Sequence, residues 1–301
     1  ELRDLLPDEK SELLEVQEGA PWGLSRVCHA KMPSGLNEYT YPKSAGKGVN
    51  VYIVDTGINI AHEDFEGRAK WGATIPMFDE DIDGNGHGTH CAGTIGGKTY
   101  GIAKKANLIA VKVLRTNGFG TNSDVIKGIE WVIKAHKKTT GKQSVANMSL
   151  GGGRSLTLEK VVNKAVESGV HFAVAAGNDN EDACNYSPAA AEGPITVGAS
   201  TNQDTMAFFS NHGSCVDIFA PGLDIKSTWI GGKDAVNTIS GTSMASPHVA
   251  GVLALHLSQK EYKPDELKKL LKEQATKGAL TGLPETSENL LLSIEPLLNE
   301  L

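Results

Sequence analysis

Between residues 49 and 219, short runs of β-branched and aliphatic residues alternate with longer stretches whose apolar positions recur at three- and four-residue intervals. The first pattern fits buried strands and the second fits helices with an apolar face. Strands are predicted at Val49 to Val54, Asn107 to Leu114, Ser144 to Leu150, Val170 to Ala176, Pro194 to Ala199 and Val216 to Phe219. Helices are predicted at Ser123 to Ala135, Leu156 to Ser168 and Met244 to Ser258. Such alternation implies an α/β fold, a doubly wound, mostly parallel β-sheet with helices on both faces.

The two ends read differently. Residues 1 to 18 are acidic, carry scattered leucines and precede Pro21-Trp22-Gly23. They read as an N-terminal extension, either a pro-segment remnant or a peripheral helix, ahead of one domain over residues 19 to 301. Near the other end, Pro264 suits a helix start, and Leu267, Leu270 and Leu271 form the stripe that would pack this helix on the body.

Composition narrows the function classes. A chain of 301 residues can bury a sizeable single core, and no apolar run approaches the roughly 20 residues that a membrane-spanning helix needs. The net charge of -7 argues against nucleic-acid binding, which requires clustered Lys and Arg, and the basic run Lys134 to Lys142 reads as a solvated helix end. Four cysteines are too few for a disulfide scaffold, although one bridge would suit an oxidising compartment.

Three residues stand where chemistry is expected. Asp55 ends the apolar run VNVYIVD, which puts a carboxylate at the carboxyl end of a buried parallel strand, although turn and cap roles are common there. Asp55-Thr56-Gly57 also resembles an aspartic-protease signature, but that chemistry needs a second such carboxylate and no second DTG or DSG occurs. His87 lies in DGNGHGTHCAGT at or near a helix start, where flanking glycines permit close approach and a helix N-terminus disfavours the imidazolium.

Rival readings of the His87 segment are weak. Its G-x-G-x-G lacks dinucleotide spacing and follows an acidic loop, and His87, His90 and Cys91 lack the paired ligand sets typical of zinc. Ser243 lies in SGTSMASPHVAG just before a helix, where it could be an ordinary N-cap, or a hydroxyl exposed at the positive end of the helix dipole. Pro247 is read as falling in the tolerant first turn. A strand-end Asp, a glycine-flanked His and a helix-starting Ser together supply an orienter, a general base and a nucleophile.

With these motifs in the order DTG, HGTHCAG and GTSMASPHVAG, the chain resembles the subtilisin superfamily of serine proteases. Within it, APWGLSR, TIPMFDEDIDGNGHGTHCAGTI, VKVLRTNGFGT, ANMSLGGG, HFAVAAGN and FAPGLDIKSTWIG are similar to the proteinase K branch and its fungal vacuolar proteinase B group, over roughly residues 20 to 290. The resemblance implies a serine endopeptidase with Asp55, His87 and Ser243 as its triad and the Asn178 amide as side-chain oxyanion donor. It implies that Gly118, Phe119 and Gly120 on one side, and Ser149, Leu150, Gly151 and Gly152 on the other, hold an extended peptide. It further implies a roomy pocket near Ala175 to Gly177, with tolerance for apolar and aromatic residues. A non-catalytic peptide-binding or scaffold protein on the same fold is the alternative.

The resemblance also implies a Cys184–Cys215 bridge, a free buried Cys91, and no cofactor for the chemistry. It implies a structural calcium held by Asp217 with the carbonyls of Glu192 and Pro194, where a salt bridge or cap would use the carboxylate equally well. Expected partners are protein and peptide substrates and the chain's own propeptide, as inhibitor and folding aid, acting on a monomer. The expected location is the vacuole lumen, with secretion as the alternative. Asn185-Tyr186-Ser187 is a glycosylation sequon, and Asn147-Met148-Ser149 falls in an expected buried strand.

Overall fold

The computed structural model describes residues 12–301. An antiparallel pair, β1 (Leu14–Glu18) and β2 (Glu38–Pro42), encloses the short helix α1 (Trp22–Val27). There follow β3 (Asn50–Asp55), β4 (Ala69–Thr74), α2 (His87–Gly96), β5 (Asn107–Lys112), α3 (Asn122–Lys138), β6 (Ser144–Met148), β7 (Gly152–Gly153) and α4 (Leu156–Glu167). Then come β8 (His171–Ala175), β9 (Tyr186–Ser187), β10 (Ile195–Ser200), β11 (Ile218–Pro221), β12 (Ile225–Thr228), β13 (Val236–Ile239) and α5 (Thr242–Leu257). The chain closes with α6 (Pro264–Gln274), β14 (Thr276–Lys277), β15 (Leu290–Leu291) and α7 (Glu295–Glu300).

Side-chain alternation along the strands explains the layers. Val51 and Ile53 face one core with Val145, Ala173 and Val197, covered by α2 and α5. Tyr52 and Val54 face the other with Ala146, Met148, Phe172 and Val174, covered by α3 and α4. The sheet runs β14-β15-β11-β10-β8-β6-β3-β5-β4 and is parallel except at the β14–β15 edge. The chain therefore folds as the doubly wound, mostly parallel α/β sheet that its alternation predicts. Among the described residues, no helix is long and apolar enough to cross a membrane.

Helix α5 runs through the middle of one layer, and of its sixteen residues only Ser243 is not buried. Its apolar character all round is what a wholly interior helix requires. The surface helices are capped conventionally: Thr121 Oγ1 accepts from Asp124 N at the start of α3, and Ser155 Oγ accepts from Leu158 N at the start of α4. The last turn of α3 carries His136, Lys137 and Lys138, so most of the basic run sits where a helix dipole favours positive charge.

The structure departs from the sequence expectations at three points. Of residues 1 to 18, read as an extension that is either a pro-segment remnant or a peripheral helix, residues 14 to 18 form the strand β1 and not a helix, because LEVQE alternates and Leu14 enters the core beside β2; residues 1 to 11 of that segment lie outside the described residues. Strand β4 and the β12–β13 hairpin were not anticipated, since AKWGAT and the exposed flank of Val236–Ile239 bury too little to leave an apolar signature. Pro247 lies in the second turn of α5, not the first.

Candidate active site

The carboxyl end of β3 delivers Asp55, fully buried, with Oδ1 accepting from the next peptide nitrogen, Thr56 N (2.7 Å), and from His87 Nδ1 (2.7 Å). Because a carboxylate can only accept, Nδ1 carries the proton and the neutral ring presents its lone pair at Nε2.

His87 is the first residue of α2, and the turn before it is built around Asp83, which sequence reasoning passed over. The Asp83 carboxylate accepts from Asn85 N, Gly86 N, Thr89 N, Thr89 Oγ1 and Thr56 Oγ1 at 2.6–3.0 Å. Thr56 Oγ1 in turn accepts from Gly88 N, tying the start of α2 to the end of β3. Two glycines are required here. Gly86 has φ +105 and lies against the Trp229 ring, and a Cβ on Gly88 would collide with the Gly57 carbonyl. The signal for Asp83 was present as an Asx residue preceding Gly-Asn-Gly, but its five donors are backbone and hydroxyl groups that only the fold identifies.

Burial pulls the His87 pKa down, whereas the charge and hydrogen bond of Asp55, with Asp83 adding, push it up and win, so it lies above its ordinary 6.5. The expectation that the helix N-terminus would disfavour the imidazolium is therefore overridden. His87, His90 and Cys91 do not form a ligand set either: His90 Nε2 is engaged by Ile225 O (2.8 Å), and burial lowers its pKa to about 4. Cys91 is a free, buried thiol whose pKa burial raises.

Ser243 is the second residue of α5, after an N-cap at Gly241, so it is not itself the cap. Its Oγ donates to Ser149 O at 3.2 Å. Its carbonyl faces Pro247, the residue that should donate the helical hydrogen bond and has no N–H. Ser149 Oγ (2.7 Å) and Cys91 Sγ (3.4 Å) donate to that carbonyl instead. Beneath them a buried chain continues, as Asn147 Nδ2 donates to Ser149 Oγ (2.9 Å) and Ser246 Oγ to Asn147 Oδ1 (2.7 Å).

Asn178 lies just beyond β8, and its Oδ1 accepts from Thr242 N (2.8 Å) and Thr242 Oγ1 (2.9 Å). Those donors fix which end of the amide is oxygen and leave Nδ2 on the side of Gly241, where Ser243 N also lies.

Two cavities adjoin. One of about 270 Å³ is lined by Leu150 to Gly153, Ala175 to Asp179, Tyr186, Ser187, Ala189, Thr242 and Ser243. The other, of about 420 Å³, has Gly118, Phe119 and Gly120 on one wall, Ser149, Leu150, Gly151 and Gly152 on another, and His87 among its lining. The two sequence segments expected to flank a peptide thus share one groove. Phe119 is exposed, while Gly118 (φ +83) closes the turn that carries it. The wall at Ser187 is braced: its Oγ donates to Glu159 Oε2 (2.7 Å), and Arg154 holds Glu159 through two bonds of 2.8 and 3.0 Å.

Cys184 and Cys215 form a disulfide that ties the turn before β9 to the segment before β11, and Cys28 is free and buried. The calcium expectation fails its test. Glu192 O, Pro194 O and Asp217 do converge, but on the ammonium of Lys268, at 2.6, 3.0 and 3.5 Å. The residues are right in kind for a hard cation, and a side chain of this chain stands in the place one would need.

Residues 46–288 match the profile of the subtilase family, and the chain belongs to that family. It is 60% identical to alkaline protease 2 of Aspergillus fumigatus, over 92% of this chain and 60% of that protein. It is 59% identical to the subtilisin-like serine protease Pen c 2 of Penicillium citrinum, over 92% of this chain and 65% of that protein. The chain thus spans about three fifths of the length of the curated relatives it matches. Among solved structures, a cold adapted subtilisin-like serine proteinase is 47% identical with a TM-score of 0.85, covering 91% of this chain and 98% of that one.

Proposed function

We propose that the protein is a serine endopeptidase that cleaves proteins through an acyl-enzyme. His87 Nε2 takes the Ser243 hydroxyl proton as Oγ attacks the scissile carbonyl, and Asp55 holds the ring and stabilises the imidazolium. The Ser243 N–H and Asn178 Nδ2 donate to the developing oxyanion, after which His87 returns the proton to the leaving amine and water resolves the ester. This chemistry calls for no organic cofactor. The observation that carries the reading is the 2.7 Å bond between His87 Nδ1 and the buried Asp55 carboxylate, beside a groove that also reaches Ser243.

The cavity lined by Leu150, Ala175 and Ala189 supports cleavage after apolar and aromatic residues, and glycine-rich strand edges suit an extended peptide pairing along them. The chain's own propeptide would occupy the same groove before activation, and the protease acts as a monomer. The Cys184–Cys215 bridge supports an oxidising destination, the vacuole lumen or the cell exterior, which fractionation separates.

The bond from Ser243 Oγ to Ser149 O favours a second reading, a peptide-binding protein whose hydroxyl is idle. One experiment separates the two. The purified protein should degrade casein, and a serine-directed phosphonylating reagent should silence it with its adduct mapped to Ser243. Undiminished casein turnover by Ser243→Ala, or tight peptide binding with no acyl-enzyme by mass spectrometry, would sink the catalytic reading.

A further inference from the structure

Glu192 and Pro194 precede β10, and Asp217 precedes β11, so their oxygens are held by the neighbouring edges of two parallel strands. The cage is stiff. Thr196 N donates to Asp217 Oδ2 (2.8 Å), Asp217 N to Thr196 O (2.9 Å), and Gly193 N to Asn163 Oδ1 (2.8 Å). Lys268 reaches into it from α6, and its Nζ donates to Glu192 O (2.6 Å) and Pro194 O (3.0 Å) while lying 3.5 Å from Asp217 Oδ2. Lys272, one turn on, lies 3.8 Å from Asp217 Oδ1 and 3.2 Å from Glu288 Oε1.

Two backbone carbonyls and a carboxylate aimed at one point form an oxygen set of the kind that holds a hard divalent ion, with water completing six to eight ligands at about 2.3–2.6 Å. An ammonium hydrogen-bonded to those oxygens leaves no room for that ion. Lys268 and Lys272 together also supply two positive charges, as many as the ion would bring.

We propose that Lys268 is a tethered replacement for a divalent cation: its ammonium, backed by Lys272, makes this cage independent of calcium, and its removal uncovers a calcium site formed by Glu192, Pro194 and Asp217. The inference does not depend on the catalytic reading. It is best tested in a Ser243→Ala background, where self-digestion cannot distort unfolding curves.

Calcium binding is measured by titration calorimetry, and thermal unfolding is followed in EDTA and in about 10 mM calcium chloride. The parent and its Asp217→Asn variant should show the same calcium response, whatever other sites contribute. Lys268→Ala combined with Lys272→Ala should bind one more calcium ion, with Kd on the order of 10⁻⁴ to 10⁻³ M. Calcium should raise its Tm by about 2 to 5 °C more than that of the parent. A further Asp217→Asn change should cancel both gains.

Loss of a calcium response on introducing Asp217→Asn into the parent would overturn the proposal, because the cage would then hold the ion in spite of the lysines. Calcium behaviour in the double variant identical to that of the parent would overturn it equally. Should the alanine pair not fold, Lys268→Met keeps the aliphatic stem that packs on the body and faces the same two criteria.

Discussion

Ser149 and Ser243 hold one another by reciprocal hydrogen bonds: the Ser149 hydroxyl donates to the Ser243 carbonyl at 2.7 Å, and the Ser243 hydroxyl to the Ser149 carbonyl at 3.2 Å. The first of these bonds is a consequence of Pro247. In an uninterrupted helix the nitrogen of residue 247 would donate to the carbonyl of residue 243, and proline cannot. The orphaned carbonyl is satisfied across the layer by Ser149 and Cys91, so a helix defect fastens the candidate nucleophile to the end of β6 and to α2.

A double-mutant cycle checks this coupling. Ser149→Ala leaves a partly buried carbonyl short of its best donor and should cost about 1 to 3 kcal/mol. Pro247→Ala restores a helical donor, so combining the two changes should recover part of that loss. Thermal unfolding of the four proteins in the Ser243→Ala background gives the coupling. Strictly additive effects would show that Pro247 and Ser149 do not share the carbonyl.

The pH dependence of turnover follows from His87. The base works when neutral, and Asp55 raises its pKa above 6.5, so kcat/KM should fall as pH drops through an apparent value above that of free imidazole. Asp55→Asn removes both the charge and the tautomer lock. It should move the limb to lower pH and reduce kcat by about four orders of magnitude. A limb that stays in place in Asp55→Asn would mean that another group titrates.

The central sheet was legible because each buried parallel strand writes a continuous apolar run, and Asn50–Asp55 and His171–Ala175 fall within a residue of their expected limits. Asp55, His87 and Ser243 stood out because a strand end, flanking glycines and a helix start frame them, whereas Asn178 entered only through the family resemblance. What was not legible depends on partners remote in the chain. Asp83 looks like any turn aspartate until its five donors are in place, and the role of Pro247 depends on where α5 starts. Lys268 reads as one more surface lysine on an amphipathic helix, because nothing local reports that two carbonyls 76 and 74 residues earlier face it.

Acid lability should be set largely by four interior histidines. His90, His171, His248 and His256 are each pushed by burial to a pKa of about 4. Three have a ring nitrogen engaged with a backbone carbonyl, of Ile225, Tyr262 and Met244 respectively, and His256 packs edge-on against Tyr262. Above about 6.5 these rings are neutral whether the chain is folded or not, and they impose no pH dependence. Between about 6.5 and 4 the unfolded chain takes up protons that the folded one refuses, so stability falls with falling pH, by up to about 5 kcal/mol per unit if all four contribute. His87 has the opposite sign, but its raised pKa puts its own window above 6.5, where it lends stability that is lost as pH rises. Unfolding of Ser243→Ala by denaturant at a series of pH values should show the acid slope, and His171→Gln with His256→Phe should flatten it by up to about two protons. A stability that does not change between pH 6.5 and 4.5 would mean that these rings are already charged in the folded protein, against the burial from which the prediction is made.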